Sequence, residues 1–105
     1  MASRKIESTL DTLVIALCLD YRRRQKAIEE RSAAKRTDTE YRYYNFKIFD
    51  AVSEIAGERF ADQYIEEIGN RVGYAKSSIP CVSETIYKQY KRLIINNIAK
   101  RLHLC

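Results

Sequence analysis

Apolar side chains recur every three or four residues along four stretches of this chain. No stretch alternates apolar and polar residues as a half-buried strand does. That periodicity constrains the fold more than any other feature. The first stretch runs from Glu7 to Arg31, with Ile6, Leu10, Leu13, Val14, Leu17, Cys18, Tyr21 and Ile28 on one stripe. Beyond Tyr21 it turns strongly polar, and "RSAAKRTD" breaks the pattern. The second is expected to start at Thr37, because "TDTE" has the form of a capping box: Thr37 caps and Glu40 reaches back. Tyr41, Tyr44, Ile48, Ala51, Val52 and Ile55 form its stripe, while Tyr43 and Phe46 point elsewhere. A helix apolar on more than one side is central or shared with a second subunit. Gly57 suits its end.

The third helix is expected over Glu58–Val72, with Phe60, Ala61, Tyr64, Ile65, Ile68 and Val72 inward and Gly73 as C-cap. Its outer face is acidic, carrying Glu58, Asp62, Glu66 and Glu67. Pro80 keeps "YAKSSIPC" a loop. The fourth helix begins after Ser83, a good N-cap, and buries Ile86, Tyr90, Leu93, Ile94, Ile98 and Leu102. The expected fold is all-α: a single helical domain over residues 1–105, a compact bundle of about four helices. A chain of 105 residues that is 46% hydrophobic, with one proline and three glycines, can bury one core.

Several function classes find no support in the residues. The longest apolar run, Leu13–Leu19, is far short of the roughly 20 residues a membrane-spanning helix needs. It leads into Asp20 and an arginine cluster, which is no secretory cleavage site. Cys18, Cys81 and Cys105 are odd in number, widely spaced and without a CxxC pair, as reduced thiols in a cytoplasmic protein would be. His103 is the only histidine, so nucleophilic triads and zinc sites lack their partners. No phosphate-cradling glycine motif is present. "GNRVG" at Gly69–Gly73 suits close packing and a helix end. The expectation is a protein that is not an enzyme and takes no metal or cofactor.

Charge is unevenly spread. The formal net charge is +5. Tyr21–Lys47 is mainly basic, Asp50–Asn70 is almost wholly acidic, and from Arg71 onward Glu84 is the only acid. A basic patch set apart from an acidic scaffold helix suits a nucleic-acid binder, although charge runs also serve as solvated faces. The last two helices have the outline of a helix-turn-helix, whose second helix enters the major groove. On the exposed side of the fourth helix, Lys88 and Arg92 suit guanine edges or phosphates, Gln89 suits adenine, and Thr85 suits a phosphate or a thymine methyl. Lys76, Ser77 and Ser78 are placed to fasten the backbone, and Arg22, Arg23 and Arg24 to add phosphate contacts.

"IEEIGNRVGYAKSSI" followed by "VSETIYKQYKRLIINNIAKRL" resembles the C-terminal end of phage-type transcriptional regulators of the RinA/ArpU kind, and "LDYRRRQKAIEE" resembles their N-terminal segment. The resemblance covers about half the chain. It implies a small regulator from a phage or other mobile element, related to the region-four helix-turn-helix of sigma factors and reading duplex DNA with its C-terminal helix. In that family the turn after "GY" is tight. Here "AKSSIPCV" intervenes, so either the turn is enlarged or the third and fourth helices do not cross at the angle the motif requires. The alternative is a helical protein–protein interaction module, a dimeric adaptor or antirepressor, with Tyr43 and Phe46 as a homodimer contact. Asn97, on the apolar side of the fourth helix, either sets register in such a dimer or bonds a neighbouring backbone group.

Overall fold

The computed structural model describes residues 8–30, 34–80 and 83–104. Ile6, Glu7, Arg31, Cys81 and Cys105, which carried expectations above, lie outside the described residues. The rest is all-α: α1 (Thr9–Leu19), α2 (Tyr21–Glu30), α3 (Lys35–Ala56), α4 (Glu58–Gly69) and α5 (Glu84–Arg101), with a short 3-10 turn at Tyr74–Lys76. The longest helix, α3, is the spine. It packs against α2, α4 and α5, while α1 closes the far side of α4 and α5. Val14, Cys18, Ile48, Ala51, Val52, Ala61, Tyr64, Ile65, Ile68, Tyr87, Ile94 and Ile98 fill the space between them. No described helix is long and apolar enough to cross a membrane.

The first expected helix is interrupted at Asp20, so α1 and α2 are two successive arms. Helical bonding carries through the joint: the Asp20 N–H donates to Ala16 and the Arg24 N–H to Asp20. The cause lies in a side chain. Arg24, only 3% exposed, donates to the Leu17 carbonyl at 2.6 Å, a group the ladder would otherwise use. It also donates to Asn45 Oδ1 of α3 at 2.7 Å and to Asp20 at 3.2 Å. Asn45 in turn donates to the Tyr21 carbonyl and to Gln25. The polar side chains of this buried knot satisfy one another, as low-dielectric surroundings demand. On α1, Ile15 is buried in place of Leu13, which is exposed.

α3 starts two residues earlier than the capping box suggested. The Asp38 N–H donates to the Ala34 carbonyl at 2.8 Å, which closes the first turn upstream and leaves Thr37 inside it. Ala34 supplies no side-chain cap, and Asp38 pairs with Arg42. Gly57 ends α3 as expected, with φ +86° and ψ 154°, a region open almost only to glycine.

α4 ends at Gly69, short of the expected Val72 and Gly73. The Arg71 N–H donates to Ile68 and the Val72 N–H to Glu67, which is a Schellman closure with Arg71 in the left-handed position (φ +56°). Gly69 is needed inside the helix instead. A Cβ there would lie 2.6 Å from the Leu19 backbone nitrogen, so its absence lets the α1–α2 joint approach α4. α5 begins at Ser83, whose Oγ accepts from the Ile86 N–H. It is rotated relative to the expected stripe: Ile95 and Ala99 are buried, whereas Tyr90 and Leu93 are exposed; Tyr87, at the edge of that stripe, is core. Asn97 bonds the Ala51 carbonyl at 2.9 Å and Glu54 at 2.8 Å, the local role among its two expected ones.

Candidate nucleic-acid interface

The connection between α4 and α5 runs from Asn70 to Ser83, far longer than the ~3–4-residue turn of a helix-turn-helix. It is held down by one acid. Glu67, assigned by the sequence to an acidic outer face, is 6% exposed. It accepts from the Ser77 hydroxyl (2.7 Å), the Ser78 N–H (2.9 Å), the Ser78 hydroxyl (3.2 Å) and the Tyr87 hydroxyl (2.6 Å). Burial pushes its carboxyl up. The four donors outweigh that and hold it below its usual value. Lys91 of α5 donates to the Val72 carbonyl at 2.6 Å and lies over the Tyr87 ring. Burial draws the Lys91 ammonium down, partly offset by the Glu67 charge.

This anchoring fixes the start of α5 and with it the candidate contact residues. Thr85, Lys88, Gln89 and Arg92 are all exposed. They line one groove of about 1090 Å³, whose other walls are α1 (Asp11, Ile15) and the end of α4 (Ile68, Arg71, Val72). Cations dominate its rim: Arg71, Lys88, Lys91 and Arg92 against Asp11. Arg92 grips Asp11 with two bonds of 3.0 Å. The guanidinium holds the Asp11 carboxyl below its ordinary range, and Asp11 raises the guanidinium in return. Lys88 pairs with Glu84 at 2.9 Å, with both side chains largely in solvent. The Lys88–Glu84 pair, open to solvent on both sides, contributes only ~0–1 kcal/mol, so an incoming phosphate can displace Glu84.

The remaining expected contacts divide. Lys76 stands exposed on the 3-10 turn. Ser78 does not serve, because both its N–H and its hydroxyl proton point at Glu67, and a phosphate oxygen only accepts. Ser77 is engaged in the same way. Arg24 is corrected outright: its guanidinium is sealed in the joint and cannot meet solvent. Arg22 pairs with Glu66 at 2.9 Å. Arg23 clasps Asp20 with two bonds of 2.6 Å and reaches the Tyr41 hydroxyl. Both side chains remain exposed, on α2 and away from the α5 groove. The sequence reading missed Arg71 and Lys91. Lys91 sat among residues assigned to no face, and Arg71 was placed inside a helix that ends before it.

Among the described residues no group of three or more His, Cys, Asp or Glu side chains is placed to hold a metal ion. Cys18 is buried, and its thiol is pushed up to about 12, which leaves it a packing residue. No family model, curated protein or solved structure matches the chain.

Proposed function

We propose that this protein binds duplex DNA through the exposed wall of α5 and acts as a small transcriptional regulator, in line with its resemblance to the RinA/ArpU kind. The observation that carries the reading is the grouping of Thr85, Lys88, Gln89 and Arg92 on one exposed wall, with Arg71 and Lys91 lining the same groove. Lys88, Lys91, Arg92 and Arg71 supply phosphate contacts, and Gln89 and Thr85 supply the groups suited to a base edge. The long connection replaces a tight turn. Its anchoring through Glu67 sets the position of α5 in place of a short loop.

The test is fluorescence anisotropy with a labelled random duplex across a salt series. The expected result is micromolar binding that weakens steeply as salt rises, with loss of binding in Lys88→Ala/Arg92→Ala and an unchanged thermal melt. Undiminished affinity in that variant sinks the assignment of the wall.

A second reading is supported by one specific observation. Tyr43 is 43% and Phe46 69% exposed on the long spine helix. Large aromatics presented to water in that way suit a protein interaction module, with a second copy as partner. The two readings are compatible.

A further inference from the structure

The break at Asp20 has a second result. α1 packs against α4 and α5, but α2 rests on α3. A cleft of about 420 Å³ therefore stays open between α2 and α4, lined by Tyr21, Gln25, Phe49 and Ile65 among others. Tyr21, Gln25 and Phe49 also line a neighbouring groove along α2 and α3, where Ile28, Tyr43 and Phe46 join them. The two form one continuous channel. Its exposed apolar residues are Leu19 (59%), Tyr43 and Phe46. In a helical bundle such a channel is the seat of a further helix.

The charges around it indicate which helix. Glu29, Asp62 and Glu66 stand on the α2–α4 part of the channel, with Arg22 as the one cation there among the described residues. The first turn of α3 carries Lys35 and Arg36, both exposed. In an isologous pair each copy offers the other the same surface. If two α3 helices cross antiparallel at Tyr43 and Phe46, positions beyond Phe46 face positions before Tyr43. Lys35 and Arg36 then face positions 54 and 53 of the partner's α3, about 6–8 Å past Phe49. Asp62 and Glu66 line the channel together with Phe49, Glu66 already in a solvent-open pair with Arg22. Basic turn meets acidic rim twice, once at each end, and the aromatics meet at the centre.

We propose that this channel is the interface of a homodimer, occupied by α3 of a second copy laid antiparallel across Tyr43 and Phe46. This commits the interaction reading to one occupant and one geometry. Phe46 and Tyr43 serve as the desolvated centre, and the Lys35/Arg36 contacts to Asp62/Glu66 set direction.

Sedimentation velocity on the full, reduced chain tests it, up to a concentration on the order of 100 µM. The expected result is a reversible dimer that Phe46→Asp weakens by about a hundredfold with unchanged far-UV circular dichroism. Asp62→Lys with Glu66→Lys should also weaken it, by about tenfold, and adding Lys35→Glu with Arg36→Glu should restore it. A monomer at every concentration overturns the proposal, as does a dimer indifferent to Phe46→Asp. A dimer that needs Phe46 but shows no restoration overturns the antiparallel seating. Lys88→Ala/Arg92→Ala should leave the dimer intact, so this interface and the α5 wall fail or stand separately.

Discussion

The Tyr87 hydroxyl donates to Glu67 at 2.6 Å from twenty residues along the chain, and this contact ties the α4–α5 connection to both helices it joins. The ring of Tyr87 stacks on Tyr64 with centroids 6.1 Å apart, so its body is core and only its tip is polar. Tyr87→Phe keeps the stack and removes one donor from a buried carboxylate. The expected cost is about 1–3 kcal/mol, seen as a lower melting temperature. Glu67→Gln should cost more, because the amide NH₂ must face the Ser77, Ser78 or Tyr87 donors. Equal melts for wild type and Glu67→Gln would show that the anchor contributes nothing.

The same carboxylate gives stability a pH dependence. Glu67, Asp11 and Asp20 are all held below their ordinary values of 4.5, 3.8 and 3.8. A depressed folded value means that the stabilisation is fully present above the unfolded value. It is lost as pH falls through the folded one. Urea unfolding should therefore give constant stability from neutral pH down to about 5 and a decline below it. The decline should be shallower in Glu67→Gln. An unchanged slope in that variant would assign the acid sensitivity to the other depressed carboxylates, Asp11, Asp20 and Glu54.

Much of the scaffold was legible in the sequence. The all-α class, the Ser83 cap, the Gly57 stop and the displacement of Tyr43 and Phe46 from the core stripe all follow from local chemistry that one short segment contains. What was not legible depends on residues far apart in the chain. Arg24 is buried because Asn45 awaits it on α3, and Glu67 because Ser77, Ser78 and Tyr87 converge on it. A periodicity argument ranks both as solvent-facing. The rotation of α5 has the same origin. Tyr87 turns inward with its hydroxyl on Glu67 and the Val72 carbonyl, and Tyr90 and Leu93 face outward.

The joint at Asp20 makes a separate claim. Arg24→Ala removes the donor to the Leu17 carbonyl and to Asn45 Oδ1, and Asn45→Ala removes the acceptor of the Arg24 Nε–H. Each should cost about 1–3 kcal/mol or more, and the double variant should cost less than the sum of the two. Chemical denaturation of the four proteins gives that cycle. DNA affinity measured below the unfolding range should be unaffected by Arg24→Ala, since that guanidinium does not meet solvent. A drop in the salt dependence of binding would contradict the burial.

The three glycines should separate under substitution by alanine. At Gly69 the new Cβ meets Leu19 backbone, which cannot swing aside as a side chain would. The helix-propensity gain of up to ~1 kcal/mol is outweighed by overpacking of about 1–3 kcal/mol. At Gly57 there is open space, but φ +86° is strained for alanine, by about 1–3 kcal/mol. At Gly73 the backbone is extended and nothing lies within 4 Å, so alanine should be neutral or stabilise by up to ~1 kcal/mol. Thermal melts of the three variants rank them; a Gly69→Ala protein as stable as Gly73→Ala would mean α1 and α4 can part without loss.

Asp11 offers a test of the α5 wall that gains rather than loses function. Among the described residues it is the one acid lining the groove, and it takes both terminal nitrogens of Arg92. Asp11→Asn removes an anion from the path of a phosphate and frees a guanidinium to meet one. Duplex affinity should rise, and the salt dependence should steepen by about one phosphate equivalent. Stability should fall by less than ~1 kcal/mol, because the Arg92 side chain is more than half exposed and the pair is open to solvent screening. In an Arg92→Ala background the same Asp11→Asn change should bring a smaller gain and no steepening. Long-range repulsion is relieved there, but no new contact can form. Equal gains in both backgrounds would mean that Asp11 acts only through its charge and that Arg92 does not touch the DNA.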